Sequence, residues 1–279
     1  MTREHHFALI GHNVSYSKSP DIFQAALDLA GLDGRFEICE VLSEELNDRL
    51  RQLALDGVSG FCVTIPHKRA IIDFLDDIDP VAQVLDAVNS VYADEGRLFG
   101  YNTDSYGFGL SLKPFAESLK CGHALILGCG GGARAVIHSL NVNFEVRRFT
   151  IFGRTPEKLR EIKASLEGRL ERIDISTAPL SSVGAARERT FDLIVNCTPL
   201  GGWNYPDENP LGPNFDFSRT KIYYDLNYNR DNRLVGSARD AGVVGIDGSL
   251  MLVGQAVRSF DIWTGHSIPV QQVYEAVFG

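Results

Sequence analysis

Two polar segments of this 279-residue chain carry side chains that could move a proton. The first, GFCVTIPHK at residues 60–68, ends an apolar run with Thr64 and Lys68, and the second, GYNTD at residues 100–104, ends with Asp104. Each segment follows a predicted strand, so we expect both at strand ends. An ammonium, a carboxylate, a hydroxyl and amides placed there could hold a polyhydroxylated substrate and transfer a proton. A lysine that stood alone would be expected to lie in solvent.

Composition limits the classes of function. The chain has 27 Lys and Arg against 36 Asp and Glu, a formal charge of -9, and it lacks the basic block that nucleic-acid binding usually needs. A small anionic substrate stays compatible, because a helix terminus or a few cations can dominate within a cleft. The seven histidines show no metal-ligand spacing and the five cysteines no C-x-x-C pair, so we expect no metal and reduced thiols.

The start of the chain, MTREHHFALIG, lacks the apolar core of a signal peptide. No run reaches the ~18 apolar residues that a membrane span requires. A soluble, cytoplasmic protein without a membrane partner is therefore expected.

The first hundred residues alternate between strand and helix patterns, which predicts a mostly parallel sheet. Strands are predicted at Phe7–Ile10, Phe36–Val41, Gly60–Val63 and Val88–Tyr92. Ser19 is a candidate N-cap of the first helix, with Pro20 at the first helical position.

A second alternating region follows, with a helix from Pro156. Its strands are predicted at His123–Leu127, Arg148–Phe152, Phe191–Val195 and Lys221–Tyr224. After Gly248 the pattern is helical again, and this last helix is expected to return to the first domain. The fold class is therefore α/β, with two doubly wound domains.

A glycine-rich turn lies between the first strand of that region and the next helix. It is LILGCGGGARA at residues 125–135 and contains Gly128, Gly130, Gly131, Gly132 and Ala133. Small residues let the backbone approach a pyrophosphate, whose charge the helix N-terminus stabilises. A tight turn without a ligand is the alternative. The strand before, the helix after and the second strand at the expected distance favour a nucleotide site.

The end of the second strand selects the nucleotide. An NAD enzyme usually has Asp or Glu there, whereas this chain has Gly153, Arg154 and Thr155, with Lys158 one turn later. Arg154 could stack on adenine and pair with a 2'-phosphate, which favours NADP. The alternative is that both cations belong to a solvated helix start.

The motif SKSP places the hydroxyls of Ser17 and Ser19 before a helix N-terminus. They could bind a carboxylate. Ordinary capping by Ser19 is an equal alternative at this point.

Eight motifs in one order make the chain resemble the shikimate dehydrogenase family over nearly its whole length. They are YSKSP at 16–20, VTIPHK at 63–68, AVNS at 87–90, GYNTD at 100–104, GCGGGARA at 128–135, NCTPLG at 196–201, DLNYN at 225–229 and GSLMLVGQA at 248–256.

The resemblance implies a role for each matching position. Lys68 and Asp104 match the catalytic pair of the family. The implied substrate-binding residues are Ser17, Ser19, Thr64, Asn89, Asp104, Tyr228 and Gln255. The backbone around Cys197, Thr198, Leu226 and Gly248 is implied to line the nicotinamide half of an NADP site. Residues 1–104, completed by 248–279, would form the substrate-binding and catalytic domain, and residues 105–247 the Rossmann-type NADP-binding domain.

Some positions depart from the family pattern. Cys62 stands where Asn is common, Tyr16 where His is common, Gly153 in place of Asn, and Arg230 in place of Pro. The expected reaction is the reversible reduction of 3-dehydroshikimate, with proton transfer by Lys68. Two alternatives stay open: a quinate or dual quinate/shikimate dehydrogenase, and a nucleotide-sensing protein without catalysis. The sequence leaves monomer or homodimer undecided, and also the physiological direction.

Overall fold

A computed structural model describes residues 4–213, 215–229 and 231–279, so Arg230 lies outside the described residues. The chain divides into two compact units. The first contains the described residues up to Gly107 together with Leu252–Gly279, and the second is Phe108–Met251.

The strands and helices alternate along most of the chain. In chain order they are β1 (His5–Gly11), α1 (Ser19–Ala30), β2 (Gly34–Glu40), α2 (Leu46–Leu55), β3 (Gly60–Val63), β4 (Asp77–Ile78), α3 (Pro80–Leu85), β5 (Ser90–Asp94), β6 (Arg97–Tyr101), α4 (Asp104–Leu112), α5 (Ala116–Leu119), β7 (His123–Leu127), α6 (Gly131–Phe144), β8 (Arg148–Gly153), α7 (Pro156–Glu167), β9 (Asp174–Pro179), β10 (Phe191–Asn196), β11 (Thr220–Asp225), α8 (Arg233–Asp240), β12 (Val244–Ile246), α9 (Ser249–Thr264) and α10 (Val270–Phe278). Among the described residues, no helix is long and apolar enough to cross a membrane.

The sheet of the first unit has the order β2-β1-β3-β5-β6-β4 and is mixed. β1 is parallel to β2 and β3, whereas β5 is antiparallel to both β3 and β6. The predicted parallel pairing therefore holds for β1 to β3 and not for the β5–β6 hairpin. Glu95 and Gly96 both have positive φ at the hairpin turn, which is the backbone that tight hairpins favour.

This topology determines where the two polar segments lie. β3 and β6 are each antiparallel to β5, so β3 and β6 run in the same direction and end at the same edge of the sheet. Residues 64–68 follow β3 and residues 102–104 follow β6. The intervening strand β5 begins at this edge, directly after Asn89.

The second unit contains a six-stranded sheet in which every pairing is parallel, in the order β12-β11-β10-β7-β8-β9. β7, the first strand along the chain, lies at the centre and the order reverses there, as in dinucleotide-binding sheets. The four predicted strands are present as β7, β8, β10 and β11. The edge strands β9 and β12 were not predicted from the sequence.

The expected capping role of Ser19 is wrong. α1 begins at Ser19 itself, its N-cap is Lys18, and no side chain caps it. The Ser19 hydroxyl is bonded instead to the hydroxyl of Ser17, at 3.0 Å. The apolar face of α1 is buried as expected, with Ile22, Phe23, Ala26 and Leu27 each at most 1% exposed.

Helix α9 returns to the first unit and packs on its sheet, as predicted. Phe260 and Trp263 are buried in the same apolar cluster as Phe7 and Phe23. Trp263 lies against Gly60 of β3 so closely that a Cβ at position 60 would overlap the indole ring. The packing of α9 therefore requires glycine at this position.

We expect Gly60→Ala to destabilise the protein by about 1–3 kcal/mol, because the added methyl overpacks the contact with Trp263. The measurement is urea unfolding followed by circular dichroism. Gly236→Ala is the matched control, since a Cβ there meets nothing within 4 Å. It lies within α8, so it should be neutral or stabilising. Equal unfolding midpoints for the two variants would contradict the packing argument.

Candidate active site

The structure joins the two polar segments through their charged side chains. Lys68 Nζ donates to Asp104 Oδ2 at 2.5 Å. The side chain of Lys68 is 18% exposed and that of Asp104 is 8% exposed, so the lysine is not a solvated surface residue. The expected meeting of amine and acid therefore occurs within one unit. Such a pair can hold an ammonium beside a substrate and keep its orientation.

Asn89 connects this ion pair to helix α9. Its Nδ2 lies 3.0 Å from Asp104 Oδ1 and 3.1 Å from Gln255 Oε1. Asn89, Asp104 and Gln255 are all at least nine-tenths buried. Four of the predicted site residues thus form one polar cluster, with Lys68 at its more exposed end.

The two serines and Thr64 lie around the loop that follows β1. Ser17 Oγ donates to Ser19 Oγ and accepts from the backbone N–H of Ser19 at 3.2 Å. A Cβ at Gly11 would approach both Thr64 and Val14, so the Thr64 methyl packs against the turn that leads to Ser17. The Ser19 hydroxyl is not used for capping, and this leaves the two hydroxyls as a pair that could bind an anion.

Cys62, the position at which Asn is common in the family, is 4% exposed and belongs to the apolar cluster under α1 and α9. Burial raises the pKa of its thiol, and the charge of Asp104 adds to the effect while Lys68 opposes it. The thiol therefore lies within the electrostatic reach of the ion pair and stays protonated.

The glycine-rich turn of the second unit leaves the N-terminus of α6 open. Gly128 has φ +106, which excludes most side chains, and its Cβ would lie 3.1 Å from the carbonyl oxygen of Cys197. Gly130 is the N-cap of α6, and no side chain caps this helix. A Cβ at Gly130 would meet nothing within 4 Å. The space, the uncapped N-terminus and its dipole fit a pyrophosphate.

The other loops predicted to hold the nucleotide meet this turn through backbone contacts. A Cβ at Gly248 would overlap the carbonyl oxygen of Leu226, so the two segments touch with no room for a side chain. Gly132 of α6 faces the Leu226 side chain, where a Cβ would lie 3.3 Å away. Thr198 follows Cys197 after β10, and its hydroxyl donates to Asn196 at 2.7 Å. Gly128, Cys197, Leu226 and Gly248 thus lie around one edge of the sheet.

The end of β8 presents positive charge. Gly153 is buried, and a Cβ there would lie 2.9 Å from Cys129 Sγ, so this position offers no side chain to a ligand. Arg154 and Lys158 are exposed, and neither forms a hydrogen bond or ion pair with any residue that the structure describes. Thr155 is the N-cap of α7, and its hydroxyl makes no capping bond. These groups are available to a phosphate.

Tyr228 belongs to the second unit, in the loop after β11. It is half-buried, and its assignment to the substrate site stays a prediction.

Sequence reasoning missed two supporting sets of residues. Asn102 accepts from the backbone N–H of Asp104 at 3.2 Å and donates to Ala87 O at 2.8 Å, which fixes the turn that carries the carboxylate. Thr103 and Ser259 extend the cluster of Asn89 behind the site. Position 259 could have been found, because it lies one turn beyond Gln255 on the same helix.

In the second unit, the missed residue is Asp225, which is fully buried at the end of β11. It accepts hydrogen bonds from Asn196 Nδ2 at 3.1 Å, from Asn227 Nδ2 at 2.8 Å and from the hydroxyl of Tyr223 at 3.0 Å. Burial raises the pKa of its carboxyl, and the bonds from the asparagines oppose this rise. Asp225 thereby ties the ends of β10 and β11 together below the loops that carry Cys197 and Leu226.

Fold and site together define a two-domain α/β protein with a second sheet in the strand order of dinucleotide-binding domains and a largely buried lysine–aspartate pair. Comparison with known proteins agrees. Residues 9–91 match the model of the shikimate dehydrogenase substrate binding domain, and residues 248–278 match that of the shikimate 5'-dehydrogenase C-terminal domain. Residues 124–200 match the saccharopine dehydrogenase NADP binding domain.

The relatives cover nearly the whole chain. A protein from Shouchella clausii named shikimate dehydrogenase (NADP(+)) is 38% identical over 95% of this chain and 94% of its own length. The crystal structure of shikimate dehydrogenase from Aquifex aeolicus has a TM-score of 0.86 at 28% identity, with full coverage of both chains. Shikimate 5-dehydrogenase from Thermus thermophilus, solved with NADP(H) and shikimate, has a TM-score of 0.82 at 32% identity, with 98% of each chain covered. This chain belongs to the shikimate dehydrogenase family. The predicted family and fold class are confirmed.

We expect Cys62 to resist alkylation in the native protein. A raised pKa means that little thiolate forms at the pH where an ordinary cysteine, with a pKa of ~8.5, begins to react. Iodoacetamide labelling across this pH range, read by peptide mass spectrometry, should modify the exposed Cys121 and not Cys62. In urea both should react. If Cys62 in the native protein were labelled as fast as Cys121, its thiol would be neither buried nor raised in pKa as the structure indicates.

Proposed function

We propose that this chain catalyses the NADP-dependent, reversible reduction of 3-dehydroshikimate to shikimate. The observation that carries the proposal is the contact of 2.5 Å between Lys68 and Asp104, in a chain that belongs to the shikimate dehydrogenase family. Quinate dehydrogenase and a non-catalytic sensor are not favoured, because the named relatives are shikimate dehydrogenases and both charged residues are present.

In the proposed mechanism, NADPH when bound supplies the hydride that reduces the C3 carbonyl. Lys68 Nζ donates a proton to the oxygen that becomes the C3 hydroxyl, and the resulting amine is reprotonated from solvent. Asp104 orients the ammonium and accepts a hydrogen bond from a ring hydroxyl. In the oxidation direction Lys68 must accept the proton from the C3 hydroxyl.

The remaining predicted residues position the acid. The hydroxyls of Ser17 and Ser19 would donate to the substrate carboxylate. Thr64, Asn89, Tyr228 and Gln255 would contact the ring and its hydroxyls. We assign the substrate-binding and catalytic domain to residues 1–104 completed by 248–279, and the Rossmann-type NADP-binding domain to residues 105–247.

The residues of the second unit fit NADP. The amides at the start of α6 would bind the pyrophosphate, and Arg154 and Lys158 would bind the 2'-phosphate. Because Gly153 has no space for a side chain, selection of NADP would rest on these two cations. A cytoplasmic location and a monomeric or homodimeric state stay predictions.

The direct test is initial-rate kinetics with shikimate and quinate, each with NADP and NAD. Shikimate with NADP should give the highest kcat/KM. A higher kcat/KM for quinate would indicate a quinate dehydrogenase instead. Cofactor binding without turnover of either acid would indicate a nucleotide-sensing protein without catalysis.

Replacing Lys68 with Ala should lower turnover by about 100-fold or more, while the KM for shikimate changes little, because proton transfer is lost and the binding groups remain. Lys68→Gln keeps an N–H donor beside Asp104 and should be as slow, which separates proton transfer from the loss of a hydrogen-bond donor to Asp104. The matched control is Lys113→Ala, an exposed lysine of the second unit. If both Lys68 variants turned over as fast as Lys113→Ala, Lys68 would not be the proton donor.

Cofactor selection gives a separate prediction. The double variant Arg154→Ala with Lys158→Ala should raise the KM for NADP by roughly 10-fold to 100-fold, because charge-assisted bonds to the 2'-phosphate are lost. The KM for NAD should stay near its wild-type value. Arg160→Ala is the matched control, since Arg160 is exposed on the same helix and pairs with Glu157. An equal rise for NADP and NAD would point to structural damage.

A further inference from the structure

The amide nitrogen of Asn89 has more acceptors than hydrogens. Its Nδ2 lies 2.9 Å from Thr103 Oγ1, 3.0 Å from Asp104 Oδ1 and 3.1 Å from Gln255 Oε1. A side-chain amide has two N–H bonds, so it serves at most two of these oxygens well. The third oxygen must find another donor. Which oxygen this is determines what the site can recognise.

The orientation of the Asn89 amide is set by Thr103. Asn89 Oδ1 accepts from the backbone N–H of Thr103 at 2.7 Å, so Nδ2 must face the three oxygens. Ser259 Oγ donates to the carbonyl of Gln255 at 3.0 Å, which leaves its lone pairs for the Thr103 hydroxyl at 3.2 Å. Whether the Thr103 hydroxyl donates to Ser259 or to Asn89 Oδ1, its oxygen keeps a lone pair for Asn89. Thr103 Oγ1 is also the nearest of the three oxygens to Asn89 Nδ2, at 2.9 Å, so one hydrogen of Asn89 is assigned to Thr103.

The second hydrogen has two candidate acceptors. A bond to an ionised carboxylate is roughly twice as strong as a neutral one, so Asp104 takes it. Gln255 Oε1, the farthest of the three oxygens at 3.1 Å, is then left with the weakest contact to this amide and with no other donor in the part of the chain that the structure describes. Its residue is 8% exposed, and its own Nε2 is used by the carbonyl of Leu252 at 2.9 Å. A buried acceptor in this state favours a ligand that brings a hydroxyl.

We propose that Thr103 is a positioning residue that acts through Asn89: by taking one amide hydrogen, it leaves Gln255 Oε1 as the acceptor for a ring hydroxyl of the substrate. This inference rests on the proposed function and deepens it. Thr103 is 2% exposed and reaches the substrate only through its neighbours. The site would thus require a hydrogen-bond donor, and not merely a polar atom, on the ring.

The test is Thr103→Val, which keeps the shape and removes the hydroxyl. The freed hydrogen of Asn89 can then turn to Gln255, so the KM and the Kd for shikimate should rise by about 10-fold or more, with kcat little changed. Thr103→Ser should restore both constants. Ser259→Ala is the matched control: it removes a buried hydroxyl from the same cluster, yet leaves the Thr103 oxygen for Asn89. A wild-type Kd for Thr103→Val, or an equal rise for Ser259→Ala, would overturn the proposal.

A second measurement uses the wild-type enzyme and therefore does not depend on folding of a variant. Shikimate analogues with one ring hydroxyl replaced by fluorine keep polarity and lose the donor. Two of them should bind at least about 10-fold more weakly than shikimate in calorimetry without cofactor, one because the donor to Asp104 is lost and the other because the donor to Gln255 is lost. Weakened binding of fewer than two analogues would overturn the proposal. Failure of shikimate itself to bind or turn over would instead contradict the proposed function.

Discussion

The ion pair of Lys68 and Asp104 is the contact on which the rest of the site depends. Taking two charges out of water costs free energy unless further hydrogen bonds complete their coordination. Here Asn89 supplies one such bond to Asp104, and the turn at Asn102 fixes the backbone of the carboxylate. The exposed part of the pair is on the lysine side, where a substrate oxygen could replace water. The protein thus keeps an ammonium oriented, with its carboxylate partner held by groups that the reaction does not change.

The sheet of the first unit is what brings this pair together. The two residues are 36 positions apart in the chain, and each follows a strand that ends at the same edge only because β5 reverses direction between them. Alternating patterns predicted strands here and led to a mostly parallel sheet. The positive φ values of Glu95 and Gly96 create the antiparallel hairpin, and a glutamate is a weak signal for such a turn. Strand existence is a local property, whereas pairing direction depends on the turn.

Apolar runs in the sequence predicted four of the six strands of the second unit, and burial explains which four. β7 is buried along four of its five residues, so an apolar run marks it clearly. β9 has one buried residue in six, and β12 has three residues, none of them buried, so neither carries such a run. Sequence motifs also identified the family and NADP, which the comparisons confirm. The supporting residues Thr103 and Asp225 escaped because their roles are hydrogen bonds between distant segments, whereas Ser259 could have been found from its place one turn beyond Gln255 on α9.

The two units offer different kinds of groups to a ligand. In the second, the glycines at positions 128 and 248 let backbone approach backbone, and the uncapped N-terminus of α6 and two exposed cations at the end of β8 are available to a phosphate. In the first, side chains divide a limited number of hydrogens among more acceptors. Backbone amides suit a phosphate, whose charge accepts from any donor, but they cannot distinguish one ring hydroxyl from another. A polar cluster with one acceptor left open can make that distinction, because only a ligand with a donor at the right place completes it.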